Sequence, residues 1–208
     1  MYFQAFLDLK ASLGITKPFF PFGGAANSSL LYLIARAITS LPITSVCEFG
    51  AGQSTLLLDA LAADREITVD TFEQREFWAV DVRAQLQHPE RVRVHQSELT
   101  AQSVRGQTAL FYDLAPISDR RFDLLIVDGP SGTRQRSRWG SLLAVHANLA
   151  DEFLMFFDDA ERPGEMETCA EAVKVLDEQG TKAYVETIEA SKSQFVVATE
   201  RYRAACFY

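Results

Sequence analysis

The chain has 208 residues, of which 48% are hydrophobic and 23% charged, a balance typical of one globular domain. Its net charge of −8 argues against a nucleic-acid partner, because such binders usually carry a basic face; the one basic cluster, RQRSR at 134–138, is interpreted as a solvated helix start. Three distant cysteines without a CxxC pair predict a reducing, cytoplasmic compartment, and no apolar run approaches the roughly 20 residues of a membrane helix.

The first 40 residues are predicted to form an N-terminal arm followed by one helix. Residues 28–39 place apolar side chains at the spacing of an amphipathic helix, and Asn27 or Ser28 is suited to cap its first turn. The preceding stretch, residues 18–27, is rich in proline, glycine and aromatic side chains. Such a stretch either lies over a binding crevice or packs as an arm against the core, and both interpretations stay open.

Beyond residue 40, short apolar runs alternate with helical patterns. Alternation of this kind predicts a parallel sheet with helices on both faces. The chain ends differently, in two strand-like runs joined by a very short connection centred on Ser191 and Lys192, which is typical of a hairpin. The predicted strands are 44–49, 67–73, 91–96, 122–130, 152–159, 182–190 and 193–200, and the predicted helices are 53–64, 75–87, 136–149 and 165–179.

The turn after the first predicted strand carries the strongest local signal, the sequence EFGAGQST from Glu48 to Thr55. Gly50 and Gly52 lack a Cβ, so the backbone can turn tightly and approach a ligand closely. The helix that follows starts with free N–H groups, which can bind a pyrophosphate or a carboxylate. Thr55 stands where the dinucleotide fingerprint GxGxxG has its third glycine, so the turn alone is a weak signal for a dinucleotide.

Two acids accompany this turn. Glu48 precedes Gly50 by two residues, and Glu73 ends the second predicted strand, where a carboxylate can accept both hydroxyls of a ribose. Each acid also has a purely structural interpretation, Glu48 as a strand-end acid with internal partners and Glu73 as a solvated helix cap. Their relative positions favour binding of a nucleoside.

These residues resemble the cofactor site of class I S-adenosylmethionine-dependent methyltransferases. The stretches FDLLIVDGP (Phe122–Pro130) and FFDDAERPGE (Phe156–Glu165) resemble the fourth- and fifth-strand motifs of the catechol-methyltransferase-like, small-molecule branch of that family. The resemblance implies an α/β fold with a doubly wound, Rossmann-like seven-stranded sheet, mostly parallel with an antiparallel C-terminal hairpin. Residues 41–208 would form this methyltransferase domain as one structural unit.

The resemblance also implies a set of cofactor-binding residues. In the family, the first motif holds the methionine end of S-adenosylmethionine, and the acid that ends the second strand holds the ribose. An acid at the end of the fourth strand lies next to the methyl group and the acceptor. The implied cofactor-binding residues are Glu48, Gly50, Ala51, Gly52, Gln53, Ser54, Glu73, Gln74, Ser97 and Asp128, of which Ser97 matches by location alone.

Three acids that end neighbouring predicted strands, Asp128, Asp158 and Asp159, are the candidate catalytic residues. Oxygen ligands suit hard divalent cations, and in the metal-dependent branch acids at such strand ends often hold magnesium. That branch has an Asp-Asn pair where this chain has Asp158-Asp159, and a different run after the fourth-strand acid than Gly129-Pro130. The same acids are also ordinary caps of helix N-termini. Magnesium binding by the three acids is therefore a hypothesis with a structural alternative.

The function predicted from these features is methyl transfer from S-adenosylmethionine to a small-molecule or glycan-like acceptor at oxygen. Alternatives on the same scaffold are an aminopropyl transferase, a nicotinamide-binding oxidoreductase or a non-catalytic binding or scaffold protein. The missing third glycine argues against the nicotinamide enzyme. Neither a nucleic-acid partner nor a membrane span is expected, and the sequence leaves the acceptor and the oligomeric state open.

Overall fold

The computed structural model describes residues 1–21 and 25–208, which form nine strands and six α-helices. The strands are β1 (Ser45–Phe49), β2 (Thr68–Glu73), β3 (Val92–Gln96), β4 (Thr100–Val104), β5 (Gln107–Phe111), β6 (Phe122–Val127), β7 (Leu149–Phe157), β8 (Tyr184–Ile188) and β9 (Gln194–Ala198). The helices are α1 (Tyr2–Ser12), α2 (Ser28–Ser40), α3 (Gln53–Ala62), α4 (Glu76–Ala84), α5 (Leu142–Ala147) and α6 (Pro163–Glu178). Short 3-10 segments lie at Ala115–Ile117, Trp139–Ser141 and Glu200–Phe207.

Seven of the strands form one sheet in the order β3-β2-β1-β6-β7-β9-β8. β1, β2, β3, β6 and β7 are mutually parallel, whereas β9 runs antiparallel to both β7 and β8. The predicted fold class, with its antiparallel hairpin at the C-terminus, is confirmed. The strand order reverses between β1 and β6, which places a topological switch point at their carboxyl ends.

Both faces of the sheet are covered by helices. Alternate residues of β6 point to opposite faces, so Leu124 and Ile126 join the apolar cluster under α2 and α3, while Leu125 and Val127 join the cluster under α5 and α6. This double burial explains why the strand is almost continuously apolar. None of the helices in the described ranges combines the length and the apolar character needed to cross a bilayer.

The N-terminal segment packs on the same sheet. Phe6 of α1 and Leu30 of α2 belong to one apolar cluster with sheet residues such as Val69. Asn27 caps α2, as one of the two predicted choices, because its Oδ1 accepts the N–H of Leu30 at 3.0 Å. The predicted covering stretch 18–27 includes residues 22–24, which lie outside the described residues, and the domain boundary at residue 40 stays a prediction.

The helix predicted over residues 136–149 is wrong in extent. The structure has α5 at Leu142–Ala147, and β7 already begins at Leu149. Arg136 and Arg138 have φ angles of 47° and 56°, and left-handed backbone interrupts an α-helix. The Arg138 side chain lies in the protein interior, where buried acids bind it, so tertiary contacts override the local helical pattern.

Neither α1 nor the β4–β5 hairpin was predicted from the sequence. The hairpin is closed by Arg105 and Gly106, whose φ angles of 54° and 72° are those of a type I′ turn. Arginine is an unusual first residue for such a turn. Here its guanidinium pairs with Glu171 and Glu178 of α6, a tertiary contact that no local pattern announces.

Candidate active site

A cleft of about 660 Å³ opens at the carboxyl ends of β1, β2 and β6. It lies at the switch point of the sheet, where open α/β folds bind their ligands. The N-terminal segment contributes Phe20 and Ala26 to its wall. The predicted cofactor residues that line the cleft are Gly50, Ala51, Gly52, Gln53, Ser54, Glu73, Gln74 and Asp128.

The two glycines of the turn have different roles. Gly50 has a φ of 97°, and a Cβ there would lie 3.0 Å from backbone atoms of Asp128 and Gly129. The turn after β1 and the end of β6 therefore pack backbone against backbone. Gly52 has extended backbone with a φ of 172°, and among the described residues a Cβ there would meet only Trp78 Nε1, at 3.9 Å. Position 52 thus has room for a side chain, and that side chain would extend into the cleft.

Glu48 lies beneath the turn and does not line the cleft. It is fully buried, and its Oε2 accepts the hydroxyls of Thr55 at 2.6 Å and Thr71 at 2.8 Å. The Thr55 hydroxyl also accepts the N–H of Gly52 at 2.9 Å, so Thr55 ties the turn to the acid of β1. Oε1 has no hydrogen-bond partner among the described residues. Burial raises the pKa of Glu48 from its ordinary 4.5 to about 7, although hydrogen bonds from neighbouring hydroxyls oppose the rise.

Glu73 supports the turn from the end of β2. Its Oε2 accepts the N–H of Ala51 at 3.2 Å, and its Oε1 accepts the N–H of Arg75 at 2.8 Å. The carbonyl of Ala51 in turn accepts Trp78 Nε1 at 2.6 Å. Each carboxylate oxygen has a further lone pair, so Glu73 retains acceptor capacity at the wall of the cleft.

Of the two residues predicted near the adenosine, Gln74 lines the cleft and Ser97 does not. Gln74 Oε1 is buried without a hydrogen-bond donor among the described residues. Ser97 donates its N–H to the carbonyl of Glu73 at 2.9 Å, and its hydroxyl accepts the N–H of Asp113 at 3.0 Å. The Ser97 hydroxyl therefore supports the backbone of the segment after β5.

The three candidate acids meet because β6 and β7 are parallel neighbours. Asp128 follows β6, and Asp158 and Asp159 follow β7; one oxygen of each lies within 4.8 Å of the others. Asp159 has left-handed backbone with a φ of 60°, a conformation that aspartate tolerates better than most residues. Burial raises the pKa of Asp128 well above its ordinary range, and repulsion from Asp158 adds to the rise.

Arg138 enters this group of acids from the loop after β6. Its Nη2 lies 2.8 Å from Asp159 Oδ2 and 3.4 Å from Asp128 Oδ1. Its Nη1 donates to the carbonyl of Asp158 at 2.9 Å, and its Nε to that of Pro130 at 3.2 Å. Burial alone would lower the pKa of Arg138, but the surrounding carboxylates raise it, so the guanidinium is charged.

Two further cations complete the group. Lys192, from the connection between β8 and β9, places its Nζ 3.3 Å from Asp158 Oδ2 and 3.2 Å from Asp159 Oδ1. Arg162 at the start of α6 lies 2.8 Å from Asp159 Oδ1. Burial alone would lower the pKa of Lys192, but the carboxylates raise it. Three carboxylates thus face three organic cations.

The donor set does not fit a bound divalent ion. Magnesium and calcium need oxygens free to lie about 2.0–2.6 Å from the ion. Both oxygens of Asp158 already have donors, Gln194 Nε2 on Oδ1 at 2.7 Å and Lys192 on Oδ2. Asp159 Oδ2 accepts a hydrogen bond from Arg138, and Oδ1, which accepts none among the described residues, forms ion pairs with Arg162 and Lys192. The acids that the sequence placed together are therefore neutralised by the chain itself.

Sequence reasoning missed Arg138 and Lys192 as site residues. Arg138 belongs to the run that was interpreted as solvated, and no local pattern distinguishes it from its exposed neighbours Arg134 and Arg136. For Lys192 a signal existed. Because β9 runs antiparallel to β7, the turn that precedes β9 must lie at the edge of the sheet where β7 ends. The sequence analysis predicted the hairpin but not its pairing with β7, and without that pairing the position of Lys192 beside Asp158 was missed.

No family model matches the sequence, and no curated protein matches it at a significant level. Solved structures do match. The O-methyltransferase of Bacillus cereus in complex with SAH has a TM-score of 0.56 at 14% identity, over 95% of this chain and 90% of that one. The SAH-bound methyltransferase of Podospora anserina gives 0.55 at 12% identity, over 94% and 88%. The precorrin-6y C5,15-methyltransferase of Geobacter metallireducens gives 0.55 at 15% identity, over 86% and 93%. The chain has the fold of class I methyltransferases.

Proposed function

We propose that the chain is an S-adenosylmethionine-dependent methyltransferase and that its cofactor binds in the cleft at the switch point. The observation that carries the proposal is the convergence of the glycine turn, Glu73 and Gln74 on one cleft. The neighbours with the same fold that are bound to SAH support it.

The proposed cofactor contacts follow from the geometry of the turn. The first N–H groups of α3 have no partner within the helix, and Gln53 and Ser54 present them beside the cleft for the carboxylate of the methionine end. Glu73 accepts hydrogen bonds from the ribose hydroxyls, and Gln74 lies at the wall of the cleft beside the adenosine. Glu48 acts from below, since its bonds through Thr55 hold the turn in place.

The chemistry assigned to the site is transfer to an acceptor oxygen. When bound, S-adenosylmethionine supplies an electrophilic methyl group, and the electrons of the broken carbon–sulfur bond stay on sulfur. The chain aligns the acceptor with that group and takes the proton from the acceptor hydroxyl. Asp128 is the proposed base: its Oδ2 forms no hydrogen bond or ion pair with the described residues, and its raised pKa makes the carboxylate a stronger base.

The acceptor is proposed to be a small molecule or a glycan-like molecule. It would bind on the side of the cleft formed by Pro130, Ser131 and Arg162, beyond Asp128. The three cysteines are all buried and unpaired, which supports the proposal that the protein works in the reducing cytoplasm. The net charge of −8 remains the argument against a nucleic-acid acceptor.

Of the alternatives, the nicotinamide-binding oxidoreductase receives the least support. Dinucleotide-binding sheets use a third glycine for close packing of helix and strand. In this chain Thr55 takes that position, and its hydroxyl accepts the N–H of Gly52 and donates to Glu48. The neighbours with the same fold are methyltransferases, which also favours the proposed function over the oxidoreductase.

The decisive experiment is a calorimetric titration of the purified protein with S-adenosylhomocysteine and, separately, with NAD. Binding of the first alone is expected. Gly52→Asp should abolish it, because the new carboxylate would enter the cleft beside the cofactor's own carboxylate, whereas Gly52→Ala should fold and bind, since a Cβ has room there. The proposal fails if S-adenosylhomocysteine gives no heat well above micromolar concentration, and the site is misplaced if binding survives Gly52→Asp.

A further inference from the structure

We propose that Lys192 and Arg138 together take the place of a divalent cation among Asp128, Asp158 and Asp159, so that this site is built to exclude metal. The proposal concerns the three carboxylates themselves and holds whether or not the chain is a methyltransferase. Its one extension, a role for Lys192 toward the acceptor, rests on the proposed function.

The first step is the position of the two cations. Arg138 Nη2 bridges Asp128 and Asp159, at 3.4 Å and 2.8 Å. Lys192 Nζ bridges Asp158 and Asp159, at 3.3 Å and 3.2 Å. Every carboxylate of the group is thus joined to another through a nitrogen cation, as it would be through a shared metal ion.

The second step is the number of carboxylate oxygens that remain free to bind a metal ion. Four of the six carboxylate oxygens accept a hydrogen bond from a nitrogen. A fifth, Asp159 Oδ1, accepts no hydrogen bond among the described residues but lies 2.8 Å from Arg162 Nη2 and 3.2 Å from Lys192 Nζ. Within the described part of the chain, Asp128 Oδ2 has no such partner. A hard cation that prefers six or more oxygen ligands would have to displace several of these donors at once.

The third step is how firmly the cations are held. Arg138 is buried with a side chain 4% exposed, and its remaining donors bind main-chain carbonyls, including that of Pro130. Both Arg138 and its partner Asp159 have left-handed backbone, which costs free energy and persists only where the surroundings enforce it. Lys192 Nζ has an additional contact with the carbonyl of Ala25 at 3.3 Å. Arg138 is therefore part of the buried structure, and Lys192 is held at the edge of the group by three oxygen contacts.

The fourth step concerns charge. The carboxyl groups of Asp128, Asp158 and Asp159 lie against the three cations Arg138, Arg162 and Lys192, and buried Glu165 also lies 3.9 Å from Arg162, so the positive and negative charges of the group are already close to balanced. An added divalent ion would leave an excess of positive charge beside Arg138 and Lys192. Removal of Lys192, which has the fewest contacts of the two bridging cations, should create the deficit that a divalent ion could fill.

The proposed function gives Lys192 a second role, toward the acceptor. Its side chain is 15% exposed and lines the cleft. The three N–H groups of the ammonium already face Asp158, Asp159 and Ala25, so its contribution would be its positive charge, which can stabilise the negative charge that develops as the proton passes to Asp128.

The experiment is a calorimetric titration of the purified protein with Mn²⁺ and Mg²⁺, paired with thermal unfolding in each ion and in EDTA. The wild type should show neither saturable heat nor a shift in Tm. Lys192→Met should acquire a saturable Mn²⁺ isotherm and an EDTA-reversible rise in Tm. Lys192→Arg, the matched control, keeps the positive charge and should behave as the wild type does.

Saturable binding of either ion by the wild type, lost in Asp158→Asn, would overturn the proposal. A folded Lys192→Met protein without ion binding would also overturn it, because Lys192 would then not be what keeps the ion out. If Lys192→Met does not fold, the wild-type titration still tests whether the site excludes divalent ions. The titration with S-adenosylhomocysteine is independent, so failure of the proposed function and failure of this inference give different results.

Discussion

At the scale of single residues, Glu48 shows how a motif acid can act without touching a ligand. It lies below the turn, fully buried, and two threonine hydroxyls converge on one of its oxygens. The other oxygen has no hydrogen bond among the described residues. An ionised carboxylate in this position is costly because burial removes its hydration, and this cost is the reason its pKa rises to about 7.

Glu48→Gln is expected to change how stability depends on pH. A carboxyl group with a folded pKa of about 7 and an ordinary value of 4.5 holds its proton more tightly in the folded state, so the free energy of unfolding falls as pH rises between these values. The cost at higher pH is roughly 3 kcal/mol. In urea unfolding, the glutamine variant should therefore gain stability relative to the wild type by about that amount between about pH 4.5 and about pH 8.

The matched control is Glu76→Gln, at an exposed position in the first turn of α4. It should not reproduce the gain of Glu48→Gln, because an exposed carboxylate keeps its hydration. A Glu48→Gln curve parallel to the wild type across the whole range would show that Glu48 does not titrate in this window.

At the scale of elements, the start of α2 connects the N-terminal segment to the site. Asn27 Oδ1 caps the helix through the N–H of Leu30, and its Nδ2 donates to the Ser191 hydroxyl at 3.2 Å. Gln194, which binds Asp158, lies 3.4 Å from the same Oδ1. One cap residue therefore joins α2, the β8–β9 connection and the acid group.

Asn27→Ala should lower the free energy of unfolding by about 1 kcal/mol or more, because the α2 cap and the bond to Ser191 are lost together. Urea unfolding monitored by circular dichroism measures the change. Ser28→Ala serves as the comparison, since Ser28 is the other residue that the sequence offered as a cap, and it should have a much smaller effect. Equal losses in the two variants would contradict the assignment of Asn27 as the cap.

At the scale of the whole molecule, the cleft joins the two halves of the sheet. Gly50 and Gly129 bring the end of β1 against the end of β6, and a Cβ on Gly129 would lie 2.7 Å from the Gly50 backbone. A ligand held by the turn, by Glu73 and by Asp128 would contact both halves at once. Its binding should therefore be linked to the stability of the entire fold.

S-adenosylhomocysteine at about 100 times its Kd should raise the free energy of unfolding by about 2.7 kcal/mol, measured by urea or thermal unfolding with and without ligand. At the ligand concentration used for the wild type, Gly50→Ala should lose most of this gain, because its Cβ would push against the end of β6 and weaken ligand binding. Gly180→Ala is the matched control: its φ of 72° gives similar backbone strain, but a Cβ there meets nothing within 4 Å among the described residues. Equal gains in both variants would mean that the β1–β6 contact does not shape the ligand site.

The sequence by itself determined what depends on local pattern. Alternating apolar runs predicted the strands, because burial on both faces demands them, and EFGAGQST predicted the strand–turn–helix, because few sequences allow so tight a turn. Glu73 was found beside that turn because parallel neighbours end at the same edge. The resemblance to methyltransferases followed from these local features.

Only the tertiary structure decided the charge of the site. Asp128, Asp158 and Asp159 were visible as acids, but Arg138 lies 21 residues from Asp159 along the chain and Lys192 lies 34 residues from Asp158. The start of the helix predicted over residues 136–149 does not form, because the backbone of Arg138 is left-handed where the local pattern favours a helix. Periodicity records which face of an element is buried, whereas the pairing of charges depends on which loops the sheet order brings to the same edge.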